Sequence, residues 1–306
     1  MRLRIRIRKR MTIKAAVFLD KGGTGKTTTT AHLGRALTEL GTNELQDELG
    51  DGGVLIDLAG KQSDLAKQFG LYDDQQQAIA NGEDFPNLSS VFDDDFDKLV
   101  QMNGTDAILD RLIYETNEGV DLIPAHPGLD SVDGELNNVE DRTERYGRLK
   151  KFVETYLEDR YDFILIDLPG LSRIVPYNGV WAAENLIAPV EMGSYEFAQA
   201  KQLRDDVEKY RSNWGIDAEL SMIIPNKFER GTNLADDYMD RYTAEFNGAM
   251  SPDPIAKSQD IRNATEAGMT IFELDEPSTT AARAREAYLA NARELVERLG
   301  DGGGTQ

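Results

Sequence analysis

Apolar residues along this chain follow two rhythms. Short continuous runs rich in β-branched residues occur at 13–19, 54–58, 121–125, 163–168, 185–190 and 220–225, and runs apolar on both faces are the mark of strands buried in a parallel sheet. Between them, apolar residues recur at three- and four-residue spacing over 27–40, 138–160, 196–210 and 281–299, which predicts helices laid against that sheet. Strands alternating with helices predict an α/β fold, a doubly wound and mostly parallel sheet with helices on both faces. Residues 71–104, polar and rich in Asp, Gln and Asn, are the least regular stretch and read as a peripheral insertion; 42–52 reads as a loop. No repeat or low-complexity linker divides 11–299, so one domain is expected there, with a frayed tail over 300–306.

Composition narrows the chemistry. The 306 residues hold no cysteine, which removes disulfide frameworks, thiolate zinc sites, iron–sulfur clusters and cysteine nucleophiles together. His32 and His126 are the only imidazoles, too few for a transition-metal centre. No window approaches the roughly 18 consecutive apolar residues of a spanning helix, and MRLRIRIRKR has no apolar core of the kind a secretory signal carries. A cytoplasmic protein without a membrane partner is expected.

The charge needs more care. With 34 Lys and Arg against 55 Asp and Glu the net charge is −21, and such a field repels phosphates at ordinary ionic strength. Only 13 of the basic residues are lysines, and acidic runs such as Asp93-Asp94-Asp95 suit the solvated surface of a halophilic protein. In molar salt the Debye length falls to about 3 Å, so distant repulsion is screened and close contacts decide. Acidity then speaks of habitat more than of partners. Residues 1–10 break the pattern with Arg2, Arg4, Arg6, Arg8, Lys9 and Arg10; they read either as a basic arm for nucleic acid or acidic lipid, or as residues ahead of a true start at Met11.

The sharpest local signal follows the first predicted strand. Asp20-Lys21-Gly22-Gly23-Thr24-Gly25-Lys26-Thr27-Thr28 leads into a helix with Leu33, Ala36, Leu37 and Leu40 on one face. Glycines let the backbone curl until several N–H groups face one anion, and the helix N-terminus adds its partial positive charge. Lys26 would reach the β- and γ-phosphates and the Thr27 hydroxyl would hold Mg²⁺, while Gly22, Gly23, Thr24, Gly25 and Thr28 complete the cradle. The usual pattern has glycine where Asp20 stands; here a lysine precedes the paired glycines instead. Asp57 and Asp167 each end an apolar run, where ligands bind in open α/β sheets, and either could orient Mg²⁺ through water.

KGGxGKTT in this setting resembles the deviant Walker A motif of the ParA/MinD group of P-loop ATPases. The resemblance implies that Lys21 reaches across a nucleotide-sandwich homodimer to the partner's phosphates. VLIDLAGKQSD, 54–64, is similar to the group's second motif: Asp57 matches its first aspartate, but Ala59 stands at its second, which in the group helps position the attacking water. That departure puts the hydrolysis rate in doubt. Asp64, one turn on, and Asp20, beside the loop, are candidates to replace that carboxylate. YDFILIDLPG, 161–170, resembles the Walker B segment with Asp167 at its end, and 121–130, 184–203, 223–238 and 260–296 look like later segments of ParA/Soj proteins in the correct order.

Within the group, the missing cysteines exclude nitrogenase iron protein and Mrp-type cluster carriers. The last predicted helix has mixed charge and is followed by Asp301 and glycines, a poor match to the basic membrane helix of MinD, and 223–238 matches partition ATPases better than the cobyrinate amidase or dethiobiotin synthases. The ParA/Soj resemblance implies an ATP- and Mg²⁺-dependent dimerising switch, nucleoid-associated, that binds DNA nonspecifically. It would act in plasmid or chromosome partition with a centromere-binding or cargo adaptor of the ParB kind. A rough alignment assigns DNA contact to Arg230 and Arg262, unless they pair with neighbours such as Glu229 or Asp260. Asn226, after the last strand, reads either as a reader of the adenine edge or as a turn residue. The alternative function is a nucleotide-dependent scaffold or positioning protein with negligible turnover, or a MinD-like regulator.

Overall fold

The computed structural model describes residues 11–50, 52–59, 63–170 and 173–300; the basic segment 1–10 and the tail 301–306 lie outside them. Seven strands form one sheet: β1 (Ile13–Val17), β2 (Gly53–Asp57), β3 (Tyr114–Glu115), β4 (Asp121–Ile123), β5 (Phe163–Asp167), β6 (Asn185–Val190) and β7 (Glu219–Pro225), in the order β3-β4-β2-β5-β1-β6-β7. The six strands read from the sequence are all present and mutually parallel. Only β3, two residues long and antiparallel to β4, escaped the hydrophobic pattern, because so short an edge strand has no period to detect.

Side chains alternate between two cores. Ile13, Ala15 and Val17 of β1, Leu55 of β2 and Leu165 of β5 pack with Leu33, Leu37 and Leu40 of α1 (Lys26–Asn43) and with Tyr288 and Leu295 of the helix Thr279–Leu299. Ile56, Ile166 and Ala188 face the other way, toward Val175 and Val180 of the helix Ile174–Ala183 and Leu203 of the helix Ser194–Trp214. Each leucine so buried contributes about 1.5–3 kcal/mol relative to exposure. α1 sits close to the sheet at Gly34, where a Cβ would fall 2.7 Å from Leu55 Cδ2. The chain leaves β1 and β5, adjacent strands, toward opposite faces, so a crevice opens between their C-terminal ends.

Three expectations are corrected. Residues 71–104 are not an irregular periphery: they carry the helices Tyr72–Asn81 and Phe96–Asn103 and a 3₁₀ turn over Leu88–Phe92, and Leu88, Val91, Phe92, Phe96 and Val100 join the main core. The loop at 42–52 contains the short helix Gln46–Leu49, anchored by buried Leu49. The single helix expected over 138–160 is broken into Arg142–Tyr146, Arg148–Phe152 and a π-helical turn, Val153–Leu157. Gly147 makes the first break, and the apolar spacing continues across it.

Candidate functional site

The crevice is entered through the loop between β1 and α1. Gly23 and Gly25 sit at φ 81° and 91°, left-handed values that a side chain would resist. A Cβ on Gly25 would also meet Asn226 Nδ2 at 2.4 Å. The loop therefore demands glycine at position 25 twice over, by backbone and by space. Lys26 opens α1 and donates from Nζ to the Lys21 carbonyl at 2.7 Å. Burial holds its ammonium below the usual lysine range, against the opposing pull of Asp167 and Asp20.

Parity along the strands brings the two aspartates to α1. Asp57 and Asp167 are partners in the β2–β5 register, and each lies two residues beyond a leucine of the α1-side core. Thr27 Oγ1 donates to Asp167 Oδ2 at 2.6 Å, and Thr30 Oγ1 to Asp167 Oδ1 at 3.3 Å. Asp57 accepts from the Ala59 N–H at 2.8 Å and the Leu65 N–H at 3.3 Å. Both carboxyls are fully buried, and burial raises their pKa values, with repulsion between the two adding to the rise at Asp167. Two desolvated acids side by side are an electrostatic deficit that a bound cation offsets. Among the described residues no cluster of three or more acidic or histidine side chains could hold an ion alone. A metal here would need phosphate oxygens and water as ligands, which is the habit of Mg²⁺.

Over the loop lies a cavity of about 700 Å³ whose lining includes Gly22, Gly23, Gly25, Lys26, Thr27, Thr28, Ala59, Asp64, Asp130, Asp133, Asp167, Gly170, Arg173 and Lys227. Lys26, Arg173 and Lys227 share that lining with Asp64, Asp130, Asp133 and Asp167, so both signs of charge face the cavity. A metal–polyphosphate carries both signs and suits such a lining.

A family model described as an AAA domain matches residues 12–222. The chain belongs to that family, in its ParA/Soj branch of P-loop ATPases. It is similar to the chromosome-partitioning ATPase Soj of Treponema pallidum, 27% identical over 94% of this chain and 98% of the relative. It is also similar to the chromosome partitioning protein ParA of Caulobacter vibrioides, 24% identical over 94% of both. Among solved structures, cobyrinic acid a,c-diamide synthase from Mycobacterium smegmatis, with bound ATP analogue and magnesium, matches with a TM-score of 0.65 at 20% identity over 94% of this chain and 95% of that one. At that identity the likeness shows the fold.

Other residues named from the sequence are placed as follows. Lys21 points to its own chain, donating to the Glu196 carboxylate with its ammonium 5.1 Å from the Tyr195 ring centroid. Asn226, buried at the end of β7, donates from Nδ2 to the Thr24 carbonyl at 2.8 Å. Ala59 lines the cavity with a methyl group, and Asp64 is beside it but ion-paired to Lys67 at 3.0 Å. Asp20 is exposed, outside the cavity lining. Arg230 and Arg262 are exposed and lie in no ion pair among the described residues: Glu229 pairs with Lys257, and Asp260 accepts from the Ser278 N–H at 2.9 Å. Sequence reasoning missed Lys227, whose Nζ donates to the Gly23 carbonyl and, at 2.7 Å, to Glu191 Oε1. Its place directly after Asn226 was the available signal.

Proposed function

We propose that this protein is an ATP-dependent switch of the partition or positioning type: Mg²⁺–ATP joins two copies, the dimer binds DNA nonspecifically, and hydrolysis releases it. The observation that carries the reading is the Thr27 hydroxyl on Asp167, at the foot of a glycine loop and beside Asp57. In such an arrangement the loop amides and Lys26 would bind the phosphates, Thr27 would ligate the ion, and Asp57 and Asp167 would orient its waters. Mg²⁺, held by Thr27 and by waters on Asp57 and Asp167, would supply charge neutralisation for phosphoryl transfer. Its relatives, a chromosome-partitioning ATPase and a chromosome partitioning protein, support this role.

Dimerisation is assigned to Lys21, which would exchange Glu196 of its own chain for the partner's phosphates. DNA contact is assigned to Arg230 and Arg262, whose guanidinium groups lie in no ion pair among the described residues. The groove beside Arg230 is not itself basic, since Arg230, Lys257 and Arg283 are matched there by Glu229, Asp253 and Glu286. An adaptor of the ParB kind would stimulate hydrolysis. Residues 11–299 act as one ATPase domain in a cytoplasmic, nucleoid-associated and halophilic protein; no helix among the described residues is long and apolar enough to cross a membrane. A second reading, a scaffold with negligible turnover, is favoured by one observation: a methyl group at Ala59 on the cavity wall.

The test is ATP hydrolysis and sedimentation in molar KCl, with and without DNA. ATP-dependent dimers that bind DNA support the switch. A monomer with ATP and DNA present rejects it.

A further inference from the structure

Lys227 has no part in the reading above, yet its backbone is in an unusual conformation. It sits at φ 52°, a left-handed value that glycine adopts freely and a lysine does not. The position is pinned on both sides: the Asn226 N–H bonds the Val190 carbonyl at 2.7 Å, and the Phe228 N–H bonds the Ile255 carbonyl at 2.9 Å. The Asn226 Oδ1 accepts from the Lys227 N–H at 2.9 Å. A strained residue held this firmly has its side chain aimed by the fold. That side chain ends on the Gly23 carbonyl, while Asn226 ends on the next one, Thr24.

We propose that Asn226 and Lys227 form a clamp that sets the phosphate-binding state of the glycine loop, with Lys227 as a positioning residue for the nucleotide polyphosphate. The peptide unit supplies the reason. In a trans peptide the C=O and the following N–H point in opposite directions. Fixing the carbonyls of Gly23 and Thr24 on the clamp turns the N–H groups of Thr24 and Gly25 away from it, so they are presented as donors without reorganisation when an anion arrives. Glu191, at the end of β6, takes the rest of the Lys227 charge at 2.7 Å and holds the ammonium at the loop's edge. Asn226 keeps one N–H and one oxygen lone pair uncommitted, so the clamp leaves it able to meet a base edge.

The proposal rests on the nucleotide reading of the same cavity, and the experiment separates the two. Affinities for ATP and for inorganic pyrophosphate are measured by calorimetry in molar KCl for the parent, Lys227→Gly and Lys227→Arg, together with each thermal midpoint. Glycine suits the left-handed backbone, so Lys227→Gly should melt at or above the parent temperature while binding both ligands about tenfold more weakly, the value of one charged hydrogen bond. Lys227→Arg should recover most of that loss. A parent that binds both ligands beside a Lys227→Gly variant that binds them equally well overturns the clamp and leaves the nucleotide site standing. A parent that binds neither overturns the nucleotide site, and the clamp with it.

Discussion

The imidazole of His32 stacks on the Tyr288 ring, with centroids 5.0 Å apart, and so ties the first turns of α1 to the last helix. Its two nitrogens are both engaged: Nδ1 lies 2.8 Å from the Thr28 carbonyl, and Nε2 accepts from the Ile271 N–H at 3.2 Å. This pairing selects the neutral tautomer protonated on Nδ1. Burial pushes the pKa down to about 4 from 6.5.

Folding should therefore depend on pH through His32. Its folded pKa is depressed, so between pH 6.5 and 4 the unfolded chain binds more protons, and stability falls as the pH drops through that window. The slope is about 1.4 kcal/mol per pH unit, for roughly 3 kcal/mol in all. Denaturant melts of the parent and His32→Phe from pH 7.5 to 4 check this. The variant should be less stable at pH 7.5, having lost two hydrogen bonds, but its curve should fall less steeply on acidification. Parallel curves would show that the buried imidazole is not the titrating group.

Two lysines of one loop should behave differently. Lys26→Ala should abolish ATP binding, because the amides alone leave the β- and γ-phosphate charge uncompensated. Lys21→Ala should keep most of the binding and lose ATP-dependent dimerisation. Its present partner, Glu196, is on its own chain, and a partly exposed ion pair of that kind holds it by about 1 kcal/mol or less, a small barrier to transfer. Calorimetry and sedimentation on both variants distinguish the roles; a Lys21→Ala protein that dimerises like the parent rejects the sandwich.

DNA binding offers a third check. Arg230→Glu with Arg262→Glu should weaken nonspecific DNA affinity and flatten its salt dependence, each lost phosphate contact lowering the log–log slope by about 0.9. Nucleotide-driven dimerisation should be untouched. If affinity at matched salt is unchanged, the footprint lies elsewhere, and removing residues 1–10 is the next measurement.

The site was legible where chemistry and periodicity coincide. Apolar runs ending in Asp57 and Asp167 located both carboxylates, since a buried strand gives a strong pattern and an aspartate at its end stands out against it. What the pattern could not carry was direction. Nothing in the spacing tells that Lys21 turns to Glu196 or that Asn226 turns to Thr24, because both contacts join residues far apart in sequence. The helices in 71–104 were missed for another reason: Gln75, Gln76 and Gln77 dilute the apolar face, although Phe92, Phe96 and Val100 are buried in the main core.

On the proposed reading, Ala59 should limit the rate of hydrolysis. Its N–H is spent on Asp57, and its methyl group can neither accept a hydrogen bond from water nor relay a proton. Asp64 lines the same cavity with its carboxylate in an exposed ion pair with Lys67, a weak restraint that leaves it as the candidate substitute, and Asp20 is outside the cavity lining. Phosphoryl transfer depends chiefly on positioning and charge, so Lys26 and the loop amides can still support slow turnover. A low basal rate and a long-lived ATP dimer are expected. Ala59→Asp should raise turnover by about 10² to 10⁴, the contribution of a placed acid–base group where chemistry limits the rate. Single-turnover hydrolysis of the two proteins in molar KCl decides the matter: a parent already as fast as Ala59→Asp would mean that another group orients the water, and two separate variants would then test Asp64, Asp64→Asn slowing turnover and Lys67→Ala, which frees the Asp64 carboxylate, raising it if Asp64 is that group.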